Sequence, residues 1–501
     1  MEQTPVRSNP RHVQIALCIS VFLVPFMSSS LNLALPLIAR DFSINAFHLT
    51  FVISMYLVGT TMLQMPAARL ADILGRRRLF LAGLSAFGVF TLLCGLSWSG
   101  TSLIVFRFLS GMGSAFVFAT NMAILTAVFP KEKRGQALGV NTAVVYFAIA
   151  AGPFLGGMLA HHIGWRSIPI VSFLLTVVAV VAGALTIRDE WAEARGEPFD
   201  ATGSGVYALS LGGIVFGFSY LPRVMGWTLL VLGLVGMAVF VVIERRCAHP
   251  MLKLDIFRDN RNFRLSSLSA MINYSASFAI GFILSLYLQF VLGMTPDRAG
   301  LVLIAQPVTQ SLLSPLGGWL SDRINPSILT TSGMGAITLG LFLLSALAPE
   351  TAIGTIVLIL ILVGIGFGLF SSPNVNIIMG SVSRRDSGLA SATTGTARQT
   401  GQSMSMAMTS LIVYAYMGDL ELTRETAERF LPSVHTGFLI FAGICLVGMY
   451  TSASKLIGGD GADWRHVSGR FPAANGGNDD SEEQARPTQG VMEHHSPEED
   501  K

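Results

Sequence analysis

Two arginines, Arg107 and Arg398, stand within long apolar stretches of this sequence, and their guanidinium groups are the first candidates for binding chemistry. A charge in an apolar environment costs several kcal/mol unless a partner, water or a ligand compensates it. At about 1.5 Å per helical residue, Arg107 lies roughly 9 Å and Arg398 roughly 18 Å from the nearer end of its stretch. We expect both, with Gln399 and Asn32, to form an internal polar site. The alternative is that the two arginines only brace neighbouring carbonyl groups.

Other kinds of reactive site are not indicated by the sequence. His161 and His162 are adjacent but have no third metal ligand in view. Glycine pairs such as Gly111 and Gly113 lie inside apolar stretches without the preceding strand that a nucleotide loop requires. The four cysteines are widely spaced, three are expected to be packing residues, and none forms a metal-ligand pair: Cys18, Cys94, Cys247 and Cys445. We therefore expect no enzyme activity, no cofactor, no metal and no nucleic-acid partner.

The composition predicts an all-α integral membrane protein. Hydrophobic residues make up 51% and charged residues only 13% of the chain, whereas soluble proteins carry about 25% charged residues. About 20 consecutive apolar residues are needed to span a bilayer as a helix. Fourteen stretches qualify, near 14–36, 47–67, 79–98, 102–129, 136–160, 167–187, 203–222, 226–243, 264–291, 299–320, 327–348, 352–376, 387–416 and 435–457.

The basic residues predict the orientation, because loops rich in Lys and Arg stay in the cytoplasm. A cytoplasmic N-terminus places most of them on the inner side, namely Arg7, Arg11, Arg69, Arg76, Arg77, Arg78, Lys131, Lys133, Arg134, Arg188, Arg195, the cluster within 245–264, Arg323, Arg384, Arg385 and Lys455. The outer side keeps Arg40, Arg166, Arg223, Arg298, Arg424 and Arg429. This favours an N-in, C-in protein of the cytoplasmic (inner) membrane, and both ends inside require an even number of spans.

A short motif of acidic and basic residues occurs twice, about 250 residues apart. The first copy runs from Ala68 to Arg78, and the second reads Gly-Trp-Leu-Ser-Asp-Arg from Gly318. A carboxylate beside arginines makes charge-assisted hydrogen bonds, which can clamp helices at one membrane face. We predict a cytoplasmic latch, the alternative being that these charges only anchor the topology. Its members are Asp72, Gly75, Arg76, Arg77, Asp322 and Arg323.

A second motif lies in the fifth apolar stretch, where Gly152, Pro153, Gly156 and Gly157 follow one another closely. Small residues four apart allow helices to approach, and proline removes one backbone donor. We predict that this segment is a pivot between helices. Tight packing without any movement is the alternative.

The spacing of the motifs predicts two pseudo-symmetric six-helix bundles with two extra central helices. Spans one to six pair with spans nine to fourteen, and the seventh and eighth spans are an insertion. The predicted parts are a cytoplasmic N-terminus (1–13), an N-terminal bundle (14–187), a two-helix insertion (203–243), a C-terminal bundle (264–457) and a disordered cytoplasmic tail (458–501). The acidic loop 417–434 predicts a short amphipathic helix.

These motifs together resemble the fourteen-span drug:proton antiporter branch of the major facilitator superfamily, over about residues 12–457. The stretch from Arg107 to Gly113 also resembles the family's fourth-span motif, and Asn32 to Pro36 resembles the end of its first-span motif. The resemblance implies a monomeric secondary transporter in the lipid bilayer, with a small-molecule site between the bundles at mid-membrane. It also implies multidrug efflux by alternating access, with protons as the coupling partner.

The chain departs from that pattern at Met27, where the resembling proteins carry an aspartate. A buried carboxylate with a raised pKa would carry the proton, and methionine cannot titrate. Two alternatives therefore remain beside a drug antiporter. One is an exporter or facilitator of a specific metabolite with weak or no proton coupling, and the other is a non-transporting membrane sensor. With two intramembrane arginines, we expect the site to prefer neutral or anionic amphipathic solutes.

Overall fold

A computed structural model of the protein describes residues 8–247, 251, 255–321, 323–382, 387–423 and 426–457. Within these ranges the chain forms fourteen long helices, counting each interrupted helix once, and no strand. Asp322, residues 1–7 of the predicted N-terminal segment and the predicted tail lie outside the described residues. The helices are α1 (Pro10–Phe42), α2 (Ala46–Leu74), α3 (Arg76–Gly95), α4 (Gly100–Val128), α5 (Lys131–His162), α6 (Ser167–Thr186), α7 (Ala201–Ser219), α8 (Val224–Arg246), α9 (Arg261–Val291), α10 (Pro296–Ser321), α11 (Pro326–Leu344), α12 (Ile353–Gly380), α13 (Ser387–Met417) and α14 (Ala427–Ile457).

The all-helical membrane architecture is confirmed, with one helix of unexpected character. Thirteen helices in the described part of the chain are long and apolar enough to cross a membrane, and α13 is not among them. Helix α13 packs against α2 and α7 as well as against α9 and α14, so its polar residues face protein. Buried hydroxyl and amide groups on it include Thr393, Gln399, Ser403, Ser405, Thr409 and Ser410. Helix α13 is long enough to span the membrane, but its sequence is polar because it is surrounded by other helices and not by lipid.

Helix ends follow local capping signals. Asn9 accepts a hydrogen bond from the Arg11 N–H at the start of α1, and Pro10 fills the first helical position, where no N–H partner is needed. Ser99 and Ser102 form a reciprocal capping box at the start of α4. Within α9, regular hydrogen bonding is interrupted near Ala279, whose N–H donates to Ser405 Oγ of α13 at 3.1 Å. This bond satisfies a backbone donor that the helix leaves free.

Glycine contacts show the twofold repeat. In the first bundle, a Cβ on Gly113 of α4 would lie 3.0 Å from the carbonyl oxygen of Gly83 on α3. In the second bundle, a Cβ on Gly366 of α12 would lie 2.7 Å from the carbonyl oxygen of Gly333 on α11. Helices α3 and α4 therefore meet in the same way as α11 and α12, at backbone contact that only glycine permits.

A pair of asparagines repeats the same relation. Asn121 of α4 donates to the Leu17 carbonyl of α1 at 3.0 Å, and Asn374 of α12 donates to the Ser266 carbonyl of α9 at 3.2 Å. Both side chains are almost fully buried. Helices α1 and α4 thus correspond to α9 and α12, as expected for two six-helix bundles separated by an insertion.

The inserted helices α7 and α8 pack as a pair. Helix α7 also contacts α2 of the first bundle and α13 of the second. Helix α8 presents a row of exposed apolar side chains on its outer side, which suits contact with lipid: Val231, Leu232, Leu234, Val235 and Val239. The insertion therefore flanks the line along which the two bundles meet.

Both ends of the described chain, Ser8 and Ile457, lie at what we call the terminal face. The end of the molecule with the α1–α2 turn is called the far face. The bundles meet through α2 with α13, α5 with α10 and α1 with α9.

Candidate functional site

A central group of side chains surrounds Arg398 of α13. Its guanidinium carbon lies 5.9 Å from the centre of the Phe118 ring on α4, within the range of a cation–π contact. Tyr274 of α9 lies near both Arg398 and Tyr146 of α5. The Tyr274 ring is 6.3 Å from the ring of Phe367 on α12. Arg398 is partly exposed, and no carboxylate within the described ranges pairs with it. Both bundles therefore contribute to one aromatic group around an available positive charge.

Asn32 lies at a second polar contact between the bundles, where α1 crosses α9. Its backbone carbonyl accepts a hydrogen bond from Ser285 Oγ at 2.6 Å, and Gln289 Nε2 donates to the same hydroxyl at 3.0 Å. The buried side-chain oxygen of Asn32 has no hydrogen-bond partner among the described atoms. Gln399 is 4% exposed on α13. These residues supply neutral polar groups at the bundle interface.

Arg107 lies inside the first bundle and is fully buried. Its Nε donates to the Val52 carbonyl at 2.9 Å, and its guanidinium stacks 4.4 Å from the centre of the Tyr56 ring. The two terminal nitrogens have no hydrogen-bond partner in the described part of the chain. In this conformation Arg107 braces α2 against α4 and cannot touch a solute between the bundles.

The first copy of the predicted latch, from Asp72 to Arg77, lies together at the terminal face. Arg76 reaches the Asp72 carboxylate at 2.8 Å and Glu193 at 2.9 Å. Two backbone bonds add to this contact, from the Ala194 N–H to the Asp72 carbonyl and from the Arg76 N–H to the Trp191 carbonyl, each 2.9 Å long. Asp72 is thereby held against the segment that follows α6.

Gly75 brings the chain into position for the same contact. Its φ of 116° is one that side-chain-bearing residues rarely adopt, and a Cβ there would lie 2.4 Å from Glu190 Oε1. Glu190 accepts from the Arg77 N–H at 2.8 Å, and Glu197 pairs with Arg69 at 2.5 Å. The basic loop is therefore held by the segment 190–197, whose three glutamates contact it and which leads to the inserted helices. In this conformation the Asp72 carboxylate pairs with Arg76 and the Asp72 carbonyl accepts from that segment, and none of the contacts described for Asp72 reaches the second bundle.

The second copy of the motif differs from the first. Asp322 is outside the described residues, and the guanidinium carbon of Arg323 lies 3.8 Å from the centre of the Trp319 ring. A clamp in the second half therefore stays a prediction.

The predicted pivot glycines face two different helices. Gly152 and Gly156 contact α1, where added Cβ atoms would lie 1.8 Å from Ser29 Oγ and 2.5 Å from Ser30 Cα. Ser30 Oγ also donates to the Gly152 carbonyl at 3.1 Å. This part of the motif fixes α5 within its own bundle.

Gly157 and Pro153 instead meet the second bundle. A Cβ on Gly157 would lie 2.6 Å from the Pro296 carbonyl oxygen, and a Cβ on Gly300 would lie 2.3 Å from the Pro153 carbonyl oxygen. At the end of the same helix, His161 lies 4.0 Å from Asp297. Helices α5 and α10 are thus in backbone contact near the far face.

A polar seam closes the other side of the far face. Asn45 Nδ2 donates to Asp419 at 3.4 Å, and Arg223, in the turn between α7 and α8, lies 3.5 Å from the same carboxylate. Arg223 also donates to the Tyr414 hydroxyl at 3.2 Å. The bond to Tyr414, with the Asp419 charge, raises the pKa of Arg223 above its usual value, so it stays cationic. The predicted helix in 417–434 is wrong for residues 418–423, which are not helical, whereas residues 427–434 form the beginning of α14.

Sequence reasoning missed two charged side chains that are buried at helix ends, Glu244 on α8 and Lys455 on α14. Lys455, expected in a loop, lies at the end of α14 and is 3% exposed. Its Nζ donates to Ser266 Oγ at 3.2 Å. The sequence analysis also did not single out Phe118, because an aromatic residue in an apolar helix does not stand out from its neighbours.

The profile of the Major Facilitator Superfamily matches residues 17–245 and 266–460 of this chain. The chain belongs to that superfamily. The unmatched gap, residues 246–265, covers the connection between α8 and α9 and the first residues of α9. As a superfamily transporter it is a multi-pass membrane protein that acts on small molecules and is not an enzyme.

Several relatives of this transporter have names that describe cargo. Multidrug resistance protein Stp of Mycobacterium tuberculosis is 31% identical over 411 residues, covering 80% of this chain and 76% of the relative. The tetracenomycin C resistance and export protein of Streptomyces glaucescens is 28% identical, covering 86% and 80% respectively. The riboflavin transporter RibZ of Clostridioides difficile is 27% identical over 440 residues, covering 87% and 95%.

Proposed function

We propose that this facilitator exports amphipathic small molecules across the cytoplasmic membrane by alternating access. The observation that carries the proposal is the group around Arg398, to which both bundles contribute Phe118, Tyr146 and Tyr274. A site shared between two bundles is made and broken when the bundles rock, which is how a transporter presents cargo to one side at a time. Relatives named as drug and antibiotic exporters support the outward direction.

The contacts near the far face suit one end state of this cycle. Gly157 with Pro296, and Asn45 with Asp419, join the bundles on that side. With the N-terminus in the cytoplasm, the far face is the outer side, so the cargo site would open inward. The clustering of basic residues at the terminal face supports this orientation.

We further propose that the cargo is neutral or anionic. Arg398 has no carboxylate partner in the described chain, and a positive charge of this kind repels a lipophilic cation. Aromatic rings of Phe118 and Tyr274 suit the apolar part of an amphipathic solute. Arg107 does not contribute in this conformation, because it is fully buried in the first bundle. The positive character of the site therefore rests on Arg398.

Proton coupling is proposed to be weak. Met27 occupies the place of the expected carboxylate on α1 and is 1% exposed within the core. A buried thioether neither binds nor releases a proton. Antiport with protons would then require another titratable group.

We propose that the transporter works as a monomer.

An exporter or facilitator of one specific metabolite is the second candidate. The alignment with RibZ, which covers 95% of that relative, favours it. A non-transporting sensor is a weaker alternative, because relatives of this chain are named as a transporter and as an export protein.

A strain that lacks the gene tests the function. We expect increased susceptibility to some amphipathic drugs or retention of a metabolite, detected by untargeted analysis of cells and medium. Both should be restored by the wild-type gene and by Arg398→Lys, but less by Arg398→Gln. Unchanged drug susceptibility and an unchanged set of exported compounds would contradict export.

A further inference from the structure

An apolar crevice lies between the first bundle and the inserted helix pair. It measures about 290 Å³ and lies between α2, α4 and α7, near their ends at the terminal face. Its α2 side runs from Leu63 to Leu70, and its α7 side runs from Ala201 to Ala208, with Phe116 between them. It is separate from the group around Arg398.

The position of the crevice places it at the depth of the bilayer's hydrocarbon. Helices α2 and α7 are both membrane-spanning by length and apolar composition. The ion pair of Arg69 with Glu197, and Asp200 as the N-cap of α7, mark the polar boundary at the terminal end of the crevice. The crevice therefore begins just inside the level of the lipid headgroups.

The chemistry of the lining limits what can occupy the crevice. Apolar cavities do not retain water, because water there would lose its hydrogen bonds. An empty one would leave its lining atoms without partners for dispersion contact. A membrane helix is surrounded by the acyl chains of lipids, so an acyl chain is the apolar group that is available to occupy the crevice. At about 290 Å³ the crevice lies at the lower limit of the roughly 300–1,000 Å³ that drug-sized ligands use, so the choice of a lipid chain rests on the apolar lining and on the surrounding hydrocarbon.

One residue shows that the space is accessible without rearrangement. A Cβ on Gly205 of α7, which lines the crevice, would meet no atom within 4 Å. A side chain at this position would enter the crevice itself. Gly443 of α14 is similarly open but lies elsewhere on the molecule, which makes it a matched control.

We propose that the crevice between α2 and α7 binds one acyl chain of a phospholipid from the leaflet at the terminal face. The acyl chain occupies the space between α2 and α7 where the two helices do not contact each other. Because α7 also packs against α13, the bound chain stabilises the insertion where the two bundles meet. This proposal concerns lipid, and it does not depend on the cargo or on the direction of transport.

Photo-crosslinking of the full chain in vesicles tests the proposal. The vesicles contain phosphatidylethanolamine, phosphatidylglycerol and a small fraction of phospholipid with a diazirine on one acyl chain. In the wild type we expect mass spectrometry to find adducts within 63–70 and 201–208. Gly205→Leu should lose these adducts but keep those on the exposed residues Val231 and Leu232 of α8. Gly443→Leu should keep both sets.

Retention of the crevice adducts in Gly205→Leu would overturn the proposal, as would a wild type labelled on α8 but not in the crevice. A second measurement distinguishes loss of lipid binding in Gly205→Leu from a change in its folding. In detergent, added phospholipid should raise the melting temperature of wild type and Gly443→Leu more than that of Gly205→Leu, because only a free crevice binds the chain. Equal shifts would refute the site. Displacement of the adducts by a transported amphiphile would show a cargo entrance instead.

Discussion

Replacing Gly157 with alanine should shift the transporter away from the conformation that is closed at the far face. A Cβ there would lie 2.6 Å from the Pro296 carbonyl oxygen, whereas ordinary contact begins at 3.4 Å. Helices α5 and α10 must therefore separate by about 0.8 Å, the difference between these two distances. Excess atoms in a packed interior cost about 1–3 kcal/mol. Since the contact joins two bundles, this cost falls on the closed state alone.

A cost of about 1–3 kcal/mol changes the ratio of two states by about 5- to 150-fold. Two other glycines on α5 provide controls. Gly156→Ala would bring a Cβ within 2.5 Å of Ser30 Cα inside the first bundle, so it should lower thermal stability without changing the ratio of states. Gly139→Ala meets no atom within 4 Å and should change neither quantity.

Double electron–electron resonance spectroscopy measures the expected separation of the two bundles at the far face. Spin labels on Ile163→Cys and Glu350→Cys, after replacement of the four native cysteines, report the distance between bundles across the far face. Gly157→Ala should add or enlarge a population at longer distance. If its distance distribution matches that of Gly139→Ala while the protein remains folded, the α5–α10 contact does not control closure.

Three further predictions concern charge. Asp72→Asn removes the ion pair with Arg76, and since the pair is partly exposed, its loss should cost less than about 1 kcal/mol of stability. If Asp72 is part of a working latch, transport should nevertheless fall strongly at normal expression, and near-wild-type transport would reduce the motif to a topology anchor. Arg398→Gln should weaken export of anionic solutes more than export of neutral ones, measured as initial rates in vesicles, and an equal loss for both would argue against charge recognition. Met27→Asp places a titratable group in the core, and transport in vesicles with and without a pH gradient should show greater proton dependence if the rest of the pathway survives.

The sequence predicts the parts of the fold that depend on composition. Apolar stretches are visible without knowledge of their neighbours, and repeated motifs reveal the two related bundles. Helix α13 is less apolar than the other long helices, because its polar residues face other helices instead of lipid. A hydropathy pattern measures apolarity and carries no information on which surrounding a helix has.

The candidate site depends on contacts that a sequence does not contain. The segment 190–197 carries the acidic partners of the basic loop, yet it has no motif that would pair it with Arg76 or Arg77. Arg107 and Arg398 look alike in sequence, but one is enclosed by its own bundle and the other lies at the interface. For the pivot, small residues on α5 predicted close contact, and only the structure separates Gly156, which faces its own bundle, from Gly157, which faces the other.

Transport by the purified protein in proteoliposomes distinguishes a weakly proton-coupled exporter of neutral or anionic solutes from a proton-driven exporter of cations. The same vesicles would be supplied with an anionic amphiphile, a neutral one and the permanent cation ethidium, each with and without an imposed pH gradient. We expect movement of the neutral or anionic compounds with weak dependence on the gradient, because Arg398 has no carboxylate partner in the described chain and Met27 cannot carry a proton. Strong, gradient-driven transport of ethidium with none of the anionic compound would contradict the account.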